Sequence, residues 1–180
     1  MLKKGIIIIL VCILTGMTGC GNTEELSGLP DIVFVYDITY HDRYDDEAPK
    51  FTMGFYDKNG NYYTSTDEYV CTLRFEQLVQ EYAEGKLSDK INLQTICNTE
   101  GLLENYNKLR KLNKDRFGIV YPETVYDVIT NTESWYGLYY DKDGNLQSLL
   151  LHQRDVLGEY YASDKRANEI YEWYLGTFEE

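Results

Sequence analysis

Apolar and polar positions divide this chain into one apolar block at its start and a long series of short, patterned runs. Residues 6–14 are unbroken apolar, preceded by Lys3 and Lys4 and followed by small residues up to Cys20. Nine residues cannot cross a hydrocarbon core of about 30 Å, so the block reads as an export signal that is removed, not as a membrane helix. Residues 21–30, GNTEELSGLP, are polar and read as a tether. Alternation over residues 32–38 then predicts a first strand. Two strand-turn-strand patterns come next, over residues 51–66 and 135–153. Both carry Tyr-Asp-Lys-x-Gly-Asn at the turn, where Gly60 and Gly144 can take the left-handed conformation that closes a hairpin. The recurrence suggests hairpin-plus-helix units repeated twice, or shared turn chemistry alone. Residues 158–161 predict a short edge strand.

Helical spacing appears in three places. Ser65 and Glu68 form a candidate capping box for a helix reaching about Glu84 and stopping at Gly85, with Cys71, Phe75, Leu78, Val79 and Tyr82 on one face. Residues 99–113 place Leu102, Leu103, Tyr106 and Leu109 together. Residues 163–176, capped by Ser163, bury Ala167, Ile170, Tyr171 and Tyr174. A short helix over residues 122–129, with Pro122 in its first turn, is also expected. These elements predict an α+β domain over residues 31–180: an antiparallel sheet of about five strands, built on two hairpins, with about three helices packed on one face.

The residues that close the apolar block sharpen its meaning. Leu14-Thr15-Gly16-Met17-Thr18-Gly19-Cys20 resembles the lipobox of bacterial lipoproteins, with Met17 standing where a branched aliphatic residue is usual. The resemblance covers residues 1–20 only. It implies a signal peptide over residues 1–19, a diacylglyceryl group on Cys20, and residues 20–30 as a lipidated tether on the outer face of the cell membrane. More than one acyl chain is needed for stable anchoring, because each buried CH₂ contributes only about 0.8 kcal/mol. The other reading of this segment is an ordinary secretory signal or an uncleaved apolar N-terminus.

Charge narrows the partners. The chain carries a formal −13, and losing Lys3 and Lys4 makes the remainder more acidic still. Such a surface repels nucleic acid and anionic lipid headgroups, which argues against DNA or RNA binding and against a domain lying flat on the membrane. The expected partners are the membrane, through the anchor, and a protein or glycan outside the cell. Tyrosine dominates the aromatic residues, with 18 copies against 6 Phe and 2 Trp, which fits both half-buried sheet surfaces and binding faces. Together with the Cys-Gly-Asn start it points to a Gram-positive source. Of the four cysteines, Cys12 leaves with the signal and Cys20 is lipidated. Cys71 and Cys97 remain, either as two buried thiols or as a bridge closing a loop worth roughly 3 kcal/mol in the chain-entropy model.

Candidate chemistry is sparse. The sequence has no nucleophile elbow, no His-Glu-x-x-His, no phosphate loop and no dinucleotide fingerprint, and no cysteine has a zinc-ligand partner at the required spacing. The loop of His41, Asp42, Asp45, Asp46 and Glu47 offers oxygen ligands for calcium without a spacing that makes them converge. The two Asp-Lys-x-Gly-Asn turns resemble the opening of an EF-hand loop, yet Tyr62 and Leu146 stand where that loop needs its glycine. No metal or cofactor is expected. Lys108, Arg110, Lys111, Lys114 and Arg116 form the one basic stretch, suited to a helix C-terminus or to contact with an anionic surface. A binding face is expected from Trp135, Tyr136, Tyr139, Tyr140, Tyr160, Tyr161, Trp173 and Tyr174, of which strand alternation turns about half inward. The expected function is a lipid-anchored binding or interaction module, immunity-like in one version. The alternative is a cell-surface hydrolase acting on wall or carbohydrate substrates through paired carboxylates.

Overall fold

A computed structural model describes residues 28–40, 51–96, 99–112, 117–120, 131–155 and 158–176. In chain order the elements are β1 (Ile32–Thr39), β2 (Phe51–Asp57), β3 (Asn61–Ser65), α1 (Glu68–Cys71), α2 (Phe75–Ala83), β4 (Asn92–Ile96), α3 (Thr99–Leu109), β5 (Phe117–Val120), β6 (Thr132–Tyr140), β7 (Leu146–Asp155), β8 (Gly158–Ala162) and α4 (Lys165–Gly176). The eight strands form one antiparallel sheet in the order β4-β3-β2-β1-β6-β7-β8-β5. The α+β class and the two hairpins are therefore present. The expected edge strand, β8, lies inside the sheet because β5 pairs along its outer side.

Helices cover both faces of the sheet, not one. Val35, Met53, Phe55 and Leu138 pack with Val70 and Cys71 of α1 and with Leu78 and Val79 of α2. Phe34, Tyr56, Trp135 and Leu149 face the other way and pack with Leu102 and Leu109 of α3 and Ile170 and Tyr174 of α4. The physical reason lies in β1, where Ile32, Val33, Phe34 and Val35 are all fully buried. A strand enclosed on both faces is continuously apolar, and the weak alternation of residues 32–35 was the mark of that enclosure.

Local differences have local causes. The expected helix from Ser65 to Glu84 is two helices, broken at residues 72–74. The Thr72 hydroxyl donates to the Glu68 carbonyl at 2.8 Å and closes α1, while Arg74 takes an extended conformation ahead of α2. Asp67 caps α1 by accepting from Val70 N at 3.2 Å. Ser65 instead accepts from Asp67 N and donates to the Lys90 carbonyl, tying the end of β3 to the approach to β4. Gly85, at φ 71°, comes after α2 as expected. Before α4, Asp164, not Ser163, accepts from a helix amide, that of Arg166, at 3.0 Å. The short helix expected over residues 122–129 lies outside the described residues.

Two features of β6 and β7 shape the α3/α4 side. At Gly137 an added Cβ would lie 2.5 Å from the Leu109 methyl groups, so the missing side chain is what lets α3 settle on β6. A bulge sets Trp135 opposite His152 and Tyr136 opposite Leu150, leaving Leu151 as the extra residue. Leu151 and His152 are both buried.

Candidate functional site

The two Asp-Lys-x-Gly-Asn turns are built alike. Asp57 Oδ1 accepts from the amides of Asn59 and Asn61 at 2.9 and 2.8 Å, and Asp141 Oδ1 accepts from those of Asp143 and Asn145, each at 2.9 Å. Each aspartate thus folds its own turn around one carboxylate oxygen, and Gly60 and Gly144 supply φ of 82° and 83°. These carboxylates are engaged by protein donors. Asp57 Oδ2 also accepts from Tyr82 of α2 at 2.9 Å, and Asp141 Oδ2 from Gln147 at 3.1 Å. Among the described residues no three His, Cys, Asp or Glu side chains are placed to hold a metal ion. The acidic loop of His41, Asp42, Asp45, Asp46 and Glu47 lies outside them.

The two hairpins lead into different elements. β3 runs on to α1 and α2 on one face, whereas β7 turns directly into β8 before α4 covers the other face. Shared turn chemistry is enough to account for the matching sequence, and the helices that follow the two hairpins lie on opposite faces.

The aromatic stretch does not form one surface. Trp135, Tyr139 and Tyr174 are buried. Trp173 is half-buried against Phe34 and Tyr56, with ring centroids 5.5 and 5.7 Å away. Tyr136 points to the opposite side of the sheet and packs on Phe75 at 5.0 Å. Tyr160 is half-buried, and Tyr140 and Tyr161 are exposed. Five of the eight expected contact residues therefore hold the domain together, leaving Tyr140, Tyr160 and Tyr161 facing outward to differing degrees.

The basic stretch is likewise divided. Lys108 lies 3.0 Å from Glu104 and 3.3 Å from Glu169, so it clips α3 to α4. Arg110 and Lys111 are exposed just beyond α3, while Lys114 and Arg116 lie outside the described residues.

Cys71 is a buried free thiol that donates to the Ser65 carbonyl at 3.5 Å. Burial, reinforced by the negative charge of Asp37, pushes its pKa up to about 11, which keeps it a poor nucleophile. Cys97, its candidate bridging partner, lies outside the described residues. His152 lies under α4, flat against Tyr171 and edge-on to Trp135. Burial lowers its pKa, with the charge of Glu159 opposing that shift.

One unusual group was missed in the sequence reading. Asp37 sits mid-sheet on the α1/α2 side, with Met53 and Ser134 opposite it on the neighbouring strands. Its Oδ1 is buried without a hydrogen-bond partner among the described residues, and desolvation raises its pKa to about 6. Its signal in the sequence was an acid two residues beyond Val35, on a strand whose first four residues are apolar. Such a carboxyl can carry a proton near neutral pH, but the adjoining groups are an inert thiol and the half-buried phenol of Tyr136. Comparison of the chain with protein-family models, with curated proteins and with solved structures finds no match in any of the three.

Proposed function

We propose that this protein is a lipid-anchored binding module on the outer face of the cell membrane. Its charge suits it to a cationic protein or a glycan, and an immunity-like role against a secreted toxin is one form of that activity. The observation that carries the reading is that, among the described residues, the candidate reactive side chains other than Asp37 are occupied. His152 is stacked in the interior, Cys71 is bonded to a backbone carbonyl, and Asp57 and Asp141 are wrapped in their own turns. A chain that commits these groups to architecture acts through its surface, and that surface is acidic with outward-facing tyrosines. The hydrolase alternative rests on Asp37, whose pKa of about 6 suits a general acid.

The test uses the native membrane protein. Mass spectrometry of its N-terminal peptide should show a diacylglyceryl group on Cys20. The purified protein should then capture a defined partner from the secreted or wall fraction, with affinity that falls as salt rises. Paired Tyr160→Ala and Tyr161→Ala substitutions should weaken that capture. Turnover of a wall fragment, abolished by Asp37→Asn and unaccompanied by capture, would instead establish the hydrolase.

A further inference from the structure

The strand directions fix which end of the sheet the N-terminal segment enters. β1 runs antiparallel to both β2 and β6, so those two strands run parallel to each other. Their turns, residues 57–61 and 141–145, therefore lie at the same end of the sheet as the start of β1. Leu29 is already buried there, and the entry is tied to the first turn: Lys58 N donates to the Asp31 carbonyl at 3.1 Å, and Lys58 Nζ meets the Asp31 carboxylate at 2.6 Å. α3 ends over the same region, with Leu109 on Gly137 and the Tyr106 hydroxyl hydrogen-bonded to the Tyr140 backbone.

We infer that the domain stands on the bilayer by this end, with turns 57–61 and 141–145 and the end of α3 against the lipid headgroups. The inference rests on the lipid anchor at Cys20 proposed above. Eight residues separate Cys20 from Leu29, a root-mean-square reach of about 16 Å, whereas the far end of β1 lies about 26 Å beyond its start. The anchored end is thus the one held nearest the membrane. Its charges also suit that position. Arg110, Lys111 and Lys142 are exposed there, and Asp31, Asp57 and Asp141 are engaged with Lys58 or with their own turns. Asp143, in the second turn, is an exposed acid among the described residues there. An acidic protein that must sit beside anionic lipid places exposed cations at its lower end. β1 ends and β2 begins at the opposite end of the sheet, as do the end of β5 and the start of β6.

Side-chain footprinting on the native protein tests this orientation. The lipidated full chain is placed in phosphatidylglycerol–phosphatidylcholine vesicles and pulsed with a lysine acylating reagent and an arginine-directed dicarbonyl. The same molecules, freed by lipase removal of their ester-linked acyl chains, serve as the reference. Lys58, Lys142 and Arg110 should react at least about threefold more slowly on vesicles, because the bilayer covers one end and leaves the other about 26 Å away. Lys90, whose carbonyl bonds Ser65 at the far end of β3, and Arg154 near the end of β7 should react at unchanged rates. Slower reaction of Lys90 and Arg154, or equal slowing of all five, with Cys20 acylated, overturns the orientation alone. An unmodified Cys20 in the N-terminal peptide overturns the anchor and the orientation together.

Discussion

The imidazole of His152 lies flat on the phenol of Tyr171, with ring centroids 4.0 Å apart and planes within 4°. Trp135 meets both rings edge-on, at 5.4 and 5.0 Å. The β7 bulge makes this possible by placing His152 opposite Trp135. Burial lowers the His152 pKa, Arg154 lowers it further, and Glu159 and Glu172 oppose them. The unfolded chain takes up this proton near pH 6.5, before the folded state does. The neutral stack therefore contributes its full stability above about pH 6.5 and loses it as pH falls through the lower folded value. A His152→Phe variant, aromatic but not titratable, should lose less stability than the parent between pH 7 and 5 in denaturant titrations. Tyr171→Ala should cost about 2–3 kcal/mol at pH 7. Identical pH profiles for parent and His152→Phe would remove the proton linkage.

Asp37 has the opposite sign. Its folded pKa of about 6 lies above the ordinary value of 3.8, so its contribution is fully present below pH 3.8 and is lost as pH rises through about 6. Asp37→Asn should stabilise the domain at pH 7.5 by about 1–2 kcal/mol, discounted for the partial solvent access of the group. At pH 4 the gain should vanish. A destabilised Asn variant at pH 7.5, measured by urea unfolding, would show that the ionised carboxylate is required.

The two turn aspartates should separate in mutagenesis despite their shared sequence. Asp57 is 1 % exposed and accepts from Asn59, Asn61 and Tyr82, so it joins the first hairpin to α2. Asp57→Ala removes a buried acceptor from all of those donors at once and should cost about 3 kcal/mol. Asp141 works at the surface, where water can replace it as acceptor, so Asp141→Ala should cost far less than Asp57→Ala. Guanidinium unfolding of the two variants gives the comparison directly, and equal losses would contradict it.

The hairpins were legible because their turns are local: an aspartate, a glycine and an asparagine within five residues determine the geometry. Helix positions were legible from spacing, but the side of the sheet each helix covers was not. The apolar stripe of α2 says that Phe75, Leu78 and Val79 face inward, and nothing in it distinguishes one sheet face from the other. That choice depends on β1 pairing with β6, a contact between distant parts of the chain. β4 was missed because Asn92–Ile96 is polar and short, with residues 92–95 exposed. The aromatic stretch looked like one face because its residues cluster in sequence. Alternation turned Tyr136 away from Trp135, and α4 drew Trp173 and Tyr174 toward Phe34 and Tyr56.

The cover over Phe34, Tyr56 and Trp135 is completed by α4, the final element described in the chain. During synthesis β1 to β3 emerge early, and the sides of Phe34 and Tyr56 that meet Trp173 and Tyr174 stay bare until residue 174 arrives. A nascent chain of this protein therefore carries uncovered aromatic surface for most of its length. Loss of the last dozen residues would leave an unfinished, sticky sheet in place of a slightly shorter domain.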